Sequence, residues 1–312
     1  MLKISKQTKI KLFILILFIT IVLAAFLSVW KLYQYKLEFW KVTNTNFCQN
    51  NCGLNGNPYF WQKNSNRQNS LCQKNLPPLG YERTIANSKS FAQWLRCLPL
   101  KEGKHDILLY NGKQAYQFPN QGIIDIDIGD KDLQQCADAV IRLRAEYLFA
   151  KGDCESIHFN FVSGFTASYL RWQEGWRPIV IGNIVKELKS ASFDNSWLNF
   201  RGYLNAVFNY ANTFCLEKEL TSVLDVNQMQ IGDVFIQGGF PGHAAIIIDM
   251  AQNEHGEKVF LLAQSNRPAQ DIHITKDWYP VNFGEVLEIP GWRFKKENLR
   301  RFILVEESKK VH

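Results

Sequence analysis

Beyond its first 41 residues this chain has almost no net charge. Residues 1–41 carry seven lysines (3, 6, 9, 11, 31, 36 and 41) against one acid, Glu38. The rest holds 29 basic and 28 acidic residues, so the formal +7 sits almost wholly at one end. Such a balance gives no field for steering a polyanion, and no nucleic-acid partner is expected. Internal repeats are also lacking. No second His stands at ligand spacing from His243, so a metal hydrolase using His243 with Asp233 or Asp249 lacks its ligand set. Cys48-x3-Cys52 has no nearby His either. No metal or cofactor is expected.

One long apolar run is present. Leu12 to Trp30 are 19 uncharged residues, mostly Leu, Ile, Phe, Val and Ala. At a 1.5 Å rise per residue they nearly span a hydrocarbon core of about 30 Å. The lysines before the run place the N-terminus in the cytoplasm and the remaining chain across the membrane. The run is long for a cleaved signal peptide, and no small-x-small site ends it. No Cys follows that could carry a lipid. The expected organisation is a cytoplasmic N-terminus (1–11), an uncleaved transmembrane signal anchor (12–30), an Asn/Cys-rich linker or subdomain (31–78) and an α+β domain (79–312).

Seven cysteines lie beyond the anchor, at 48, 52, 72, 97, 136, 154 and 215. An external location permits disulfides, and an odd count leaves at least one thiol unpaired within the chain. The segment from Thr43 to Asn75 reads as loop-rich and tied by disulfides.

Ser90 caps a short helix carrying Phe91, Trp94, Leu95 and Leu98, ended by Pro99. Asp106 to Phe118 reads as a hairpin turning at Asn111-Gly112. Ile124, Ile126 and Ile128 alternate with acids as in a half-buried strand. Asp132-x-x-Gln135 resembles a capping box, predicting a helix from Asp132 to about Ala150 with Cys136 a few positions inside. Arg142 and Glu146 on that helix are spaced for a surface ion pair. A strand follows at Ile157 to Phe161, and a helix at Ser196 to Ala211. A three-strand meander comes next: two strands within Gly232 to Asp249, joined by a Gly/Pro turn with His243 opening the second, and a third from Lys258 to Gln264. The tail from Gly291 to Val305 closes the core. Helices first and an antiparallel sheet second define an α+β fold.

The meander carries the chemistry. A turn centred near residue 254 sets His243 opposite about residue 265, with Gln264 beside it. The Gln264 amide oxygen can accept an imidazole N–H and leave the other ring nitrogen free for a thiol. Cys136 near a helix start has peptide N–H groups that favour a thiolate. The roles assigned are Cys136 nucleophile, His243 base and Gln264 orienter, with N–H groups around Cys136 as oxyanion donors. Trp172 and Arg177, in the aromatic stretch from Ser163 to Pro178, are candidates to bind substrate. His105, His158, His255, His273 and His312 have no evident partners in the sequence.

The runs Gln135 to Leu148 and Gly232 to Ala251 resemble a bacterial family known as domain of unknown function 4846. So do Phe260 to Ser265 with Pro268-Ala269-Gln270, and Trp292-Arg293-Phe294. The resemblance covers roughly residues 80–305. It implies an envelope or secreted bacterial protein and brings no activity with it. Asn266-Arg267 stands where Tyr-Met is expected. More loosely, Gly232 to Asp249 is similar to the His-bearing hairpin of NlpC-type cell-wall peptidases and CHAP amidases, which are papain-like. There a Cys at a helix start precedes the His, and a polar residue on the next strand completes the triad. Cys136 departs from their Asp-Cys-Ser/Gly context.

The expectation is a single-pass protein of the bacterial inner membrane, its C-terminal domain periplasmic or extracellular. That domain would hydrolyse an amide, in peptidoglycan peptide or elsewhere, or a thioester. The alternative is a non-catalytic binding or scaffold domain for cell-wall glycan, peptide or an envelope protein.

Overall fold

The computed structural model describes residues 6–52, 59–62, 69–103 and 106–303. Parts of the predicted segment 31–78, the end of the predicted tail, His105 and His312 lie outside them. The chain separates into two units, Met1–Phe47 and Cys48–His312.

The first unit is helical. Helix α1 spans Lys6–Asn51. Over Leu15–Asn44 it is long and apolar enough to cross a membrane, which suggests membrane anchoring. Its large side chains, Phe18 and Phe26 among them, are exposed. Helix continues past Thr43, where the sequence predicts a loop. Asn costs a helix at most about 0.7 kcal/mol per position relative to Ala, too little to end one alone.

In the second unit, disulfides join Cys48 to Cys72 and Cys52 to Cys97. Cys136, Cys154 and Cys215 remain as free thiols. The helices here are α2 (Leu71–Lys74), α3 (Phe91–Arg96), α4 (Cys136–Lys151), α5 (Tyr169–Gln173), α6 (Trp197–Tyr210) and α7 (Thr213–Glu219). The strands before the meander are β1 (Tyr81–Arg83), β2 (Asn120–Ile123), β3 (His158–Asn160), β4 (Thr166–Ser168), β5 (Trp176–Ile181), β6 (Ile184–Lys189) and β7 (Thr221–Ser222). The meander is β8 (Val234–Gln237), β9 (His243–Asn253) and β10 (Lys258–Gln264). After it come β11 (His273–Thr275), β12 (Tyr279–Pro280), β13 (Val286–Ile289), β14 (Trp292–Lys295) and β15 (Leu299–Arg301).

Nine strands form the main antiparallel sheet, in the order β2-β11-β10-β9-β8-β15-β7, with β1 added to β9 and β12 to β10. The fold is α+β. Both faces of β9 are buried. Ala244, Ile246 and Ile248 join the core under the helices, with Val140, Leu143 and Leu204. Ala245 and Ile247 join a second core with Phe260, Leu262 and Phe294. A strand covered on both sides reads as an unbroken apolar run, as Ala244 to Ile248 does.

Several local expectations shift. Ser90 caps α3 by accepting from Gln93 N–H, and Ser196 caps α6 in the same way. Strand β2 stops at Ile123, and Ile124 makes an isolated bridge to Leu100 while its N–H donates to Ile272 O. Asp127, in the predicted continuation, is instead held by Arg142 at 3.0 Å and Arg201 at 2.9 Å. Helix α4 begins at Cys136, not Asp132, because Asp138 captures the Gln135 N–H at 3.1 Å. The Asp132 carboxylate accepts from Gln135 Nε2 and Ala269 N–H instead. Arg142 and Glu146 do pair, at 2.7 Å, but with both side chains fully buried rather than on the surface. Gly152, at φ 76°, ends the helix in the left-handed region.

Asp249 locks the helical layer to the sheet. One carboxylate oxygen takes Arg83 Nε and the other Arg96 Nε, each at 2.7 Å, and all three side chains are fully buried. Removing the anion strands two buried cations. Asp249→Asn is therefore expected to cost about 3–5 kcal/mol in a denaturant titration. A loss within experimental error of zero would show that the cations find other partners.

Candidate functional site

Cys136 is the first residue of α4, and α4 packs across β9. Peptide N–H groups of Ala137, Ala244 and Cys136 itself lie near its thiol and favour its anion. The thiol therefore lies beside the peptide that joins His243 to Ala244. His243 opens β9 directly after Gly242, and Gly242 has no space for a side chain. A Cβ there would lie 2.5 Å from both Gly239 O and Thr213 Oγ1.

Gln264 pairs with Ala245 across the β9–β10 ladder, two positions from His243 and on the same face. His243 Nε2 meets Gln264 Oε1 at 2.8 Å. The Gln264 amide nitrogen faces Pro290 O at 3.0 Å and His273 Nε2 at 3.3 Å. His273 Nδ1 faces Asp271 O at 3.3 Å. These contacts fix the tautomers. Two carbonyls can only accept, so His273 carries its proton on Nδ1 and Gln264 presents its NH2 to Pro290 and His273. Gln264 Oε1 must then accept from His243 Nε2–H. That leaves His243 Nδ1 as an unprotonated acceptor, with no hydrogen-bond partner among the described residues.

Sequence reasoning missed His273, which it left without a partner. The signal is the pairing of β11 with β10, which sets His273 directly across from Gln264. Trp292 and Phe294, from the tail expected to close the core, put their ring centroids 5.3 and 5.9 Å from that of the His243 imidazole.

Burial sets the charges. It pushes His243 and His273 down to about 4, so both rings are neutral at pH 7. The Cys136 thiol is pushed up to about 11, mainly by burial and then by the Asp138 charge; the three N–H groups only partly oppose this. Asp138 is itself pushed well above the usual carboxyl range by burial, and its Oδ1 is buried without a partner. The resting site holds a neutral thiol and a neutral imidazole. No hydrogen bond joins them among the described residues. A helix start alone does not make the thiol acidic here, because desolvation outweighs it.

The thiol opens into a cavity of about 620 Å³ walled by Cys136, Asp138, Phe208, Phe214, Phe240 and Arg267. Neither Trp172 nor Arg177 lines it. The Arg177 guanidinium lies 3.9 Å from the Trp172 ring centroid, and both side chains bond to Asn199 on α6. They brace α5 and β5 against α6 rather than face the thiol. Among the described residues no group of three or more His, Cys, Asp or Glu could hold a metal.

Residues 71–301 match the sequence model of the family described as domain of unknown function (4846), and the chain belongs to that family. No curated protein and no solved structure matches it.

The depressed imidazole has a thermodynamic signature. Unfolded His243 protonates near 6.5, while the folded ring resists until about 4. Stability from this residue is therefore present above pH 6.5 and is lost as pH falls through about 4. Buried carboxyls such as Glu219, pushed up to about 7 by burial, act in the opposite direction. The readout is thus the difference in denaturant midpoint between wild type and His243→Gln, which cancels them. It is expected to shrink steadily from pH 7 to 4. A pH-independent difference would mean that the ring titrates normally in the folded state.

Proposed function

We propose that this is a membrane-anchored envelope protein whose C-terminal domain, on the outer side of the membrane, hydrolyses amide bonds in peptides such as those of peptidoglycan. It would use a papain-like arrangement of the NlpC type, in which Cys136 attacks, His243 takes its proton and Gln264 orients the ring. The observation that carries the reading is the 2.8 Å contact between His243 Nε2 and Gln264 Oε1, which leaves Nδ1 available as a base. The thiol beside the Ala244 N–H supports it. Two disulfides suit an oxidising compartment.

The chemistry balances without a cofactor. As the sulfur bonds to the substrate carbonyl carbon, the thiol proton passes to His243 Nδ1. N–H groups at Cys136, Ala137 and Ala244, which lie beside the thiol, would donate to the developing oxyanion. The C–N bond breaks, and the amine leaves with the proton from the imidazolium. Water then cleaves the thioester, with His243 again the base, and restores the thiol. Thiol and imidazole are neutral at rest, so proton transfer accompanies attack instead of preceding it. Substrate must also bring sulfur and Nδ1 within hydrogen-bond reach. A thioester substrate fits the same steps.

The test uses the full chain in detergent with purified peptidoglycan peptides, and products are read by mass spectrometry. Cleavage is expected, and Cys136→Ala and His243→Ala should each lower its rate by at least about 100-fold. Binding without cleavage, or cleavage indifferent to Cys136→Ala, would contradict the reading. The former would favour a binding or scaffold domain, a role to which two neutral groups at rest are also suited.

A further inference from the structure

A second cavity, of about 500 Å³, lies between α3, α4 and the sheet and shares no lining residue with the one at Cys136. Arg144 lines it, eight residues and about 12 Å further along α4 than Cys136. The residue is 7% exposed. Three aromatic rings surround the guanidinium, with centroids at 5.1 Å (Phe91), 5.7 Å (Tyr147) and 5.2 Å (Phe302). Among the described residues no ion pair within 4 Å or hydrogen bond reaches it, and Asp153 acts on it only at longer range. That separates it from the other buried arginines. Arg83 and Arg96 share Asp249, Arg142 has Glu146 and Asp127, and Arg201 has Asp127.

Ring contacts contribute about 0.5–2 kcal/mol each, but they satisfy none of the five N–H donors in the guanidinium plane. None of the Arg144 nitrogens is among the buried polar atoms without a partner, so its donors are left to solvent in the cavity, where an anion can take the place of water. The cavity's own acid, Asp233, is already taken by Arg301 at 2.7 and 2.8 Å. Lys258 adds a second cation at the rim. Phe91, Met229 and Ile231 give it one apolar wall, and Thr84, Asn87, Ser90 and Gln230 line the rest.

We propose that this cavity is a binding site for a monoanionic carboxylate on an apolar stem, gripped by Arg144. A carboxylate matches the planar guanidinium edge in a bidentate manner, and its stem suits the apolar wall. Arg301 also lines the cavity but is neutralised by Asp233, which leaves Arg144 and Lys258, fewer cations than a dianionic phosphate would call for. A peptide C-terminus and a short fatty acid both carry this group. The inference is independent of the chemistry proposed at Cys136.

The experiment is isothermal titration of the full chain in non-ionic detergent with N-acetyl-alanyl-leucine, with its C-terminal amide, and with hexanoate. At least one acid is expected to bind, and a peptide acid that binds should do so at least about tenfold more tightly than its amide, the effect of one charge-assisted contact. Which acid binds identifies the source. Arg144→Gln should abolish or weaken acid binding by a similar factor. If that variant does not fold, Lys258→Gln at the rim should weaken binding by a smaller factor while leaving the fold intact. The proposal is overturned if neither acid binds, if the peptide acid and its amide bind equally, or if a folded Arg144→Gln binds as wild type.

Discussion

Strand β9 is covered on both faces, and that burial governs the polar groups it carries, His243 and Asp249. A strand in this position cannot leave a polar side chain to water. At one end Asp249 is matched by two guanidinium groups. At the other, His243 is matched by an amide whose remaining donors go to a carbonyl and a second imidazole. The same burial removes charge from the site. Imidazole and thiol are both driven to their neutral forms, and the Asp138 carboxyl toward its own.

The polar chain from Asp271 through His273 and Gln264 to His243 is a device for fixing one tautomer. It ends on backbone carbonyls, which cannot reverse roles as a hydroxyl can. Three side chains from three adjacent strands therefore leave a single free acceptor at His243 Nδ1. Gly242, packed against the Gly239 carbonyl and Thr213, brings the strand in at the position that allows this. Arg144 shows the opposite arrangement, a largely buried ionic group that meets three rings and no hydrogen-bond acceptor among the described residues.

Much of this was legible before the structure. The β8–β10 meander follows from a Gly/Pro turn, an unbroken apolar run and a polar turn at residues 253–257. Counting back from that turn brings His243 and Gln264 together. The caps at Ser90 and Ser196 are short-range signals and appear where the sequence puts them. Features set by competition between distant groups were not legible. The start of α4 depends on Asp138 winning the Gln135 N–H while Asp132 turns to Ala269, 137 residues away. Burial of the Arg142–Glu146 pair depends on Asp127, Gln134 and Trp197 converging on it. His273 joins the site only through the β10–β11 register, which the loop between those strands conceals. No local pattern reveals that desolvation overrides the helix start at Cys136.

The central claim is that His243 is held neutral with its proton on Nε2 and its Nδ1 open. The most direct measurement is 15N NMR of the imidazole nitrogens in histidine-labelled protein, with His243 assigned by comparison with His243→Gln. The account predicts a protonated-type signal from Nε2 and an unprotonated-type signal from Nδ1 at pH 7, both unchanged until the pH approaches about 4. A proton on Nδ1, or a titration near 6.5, would contradict it.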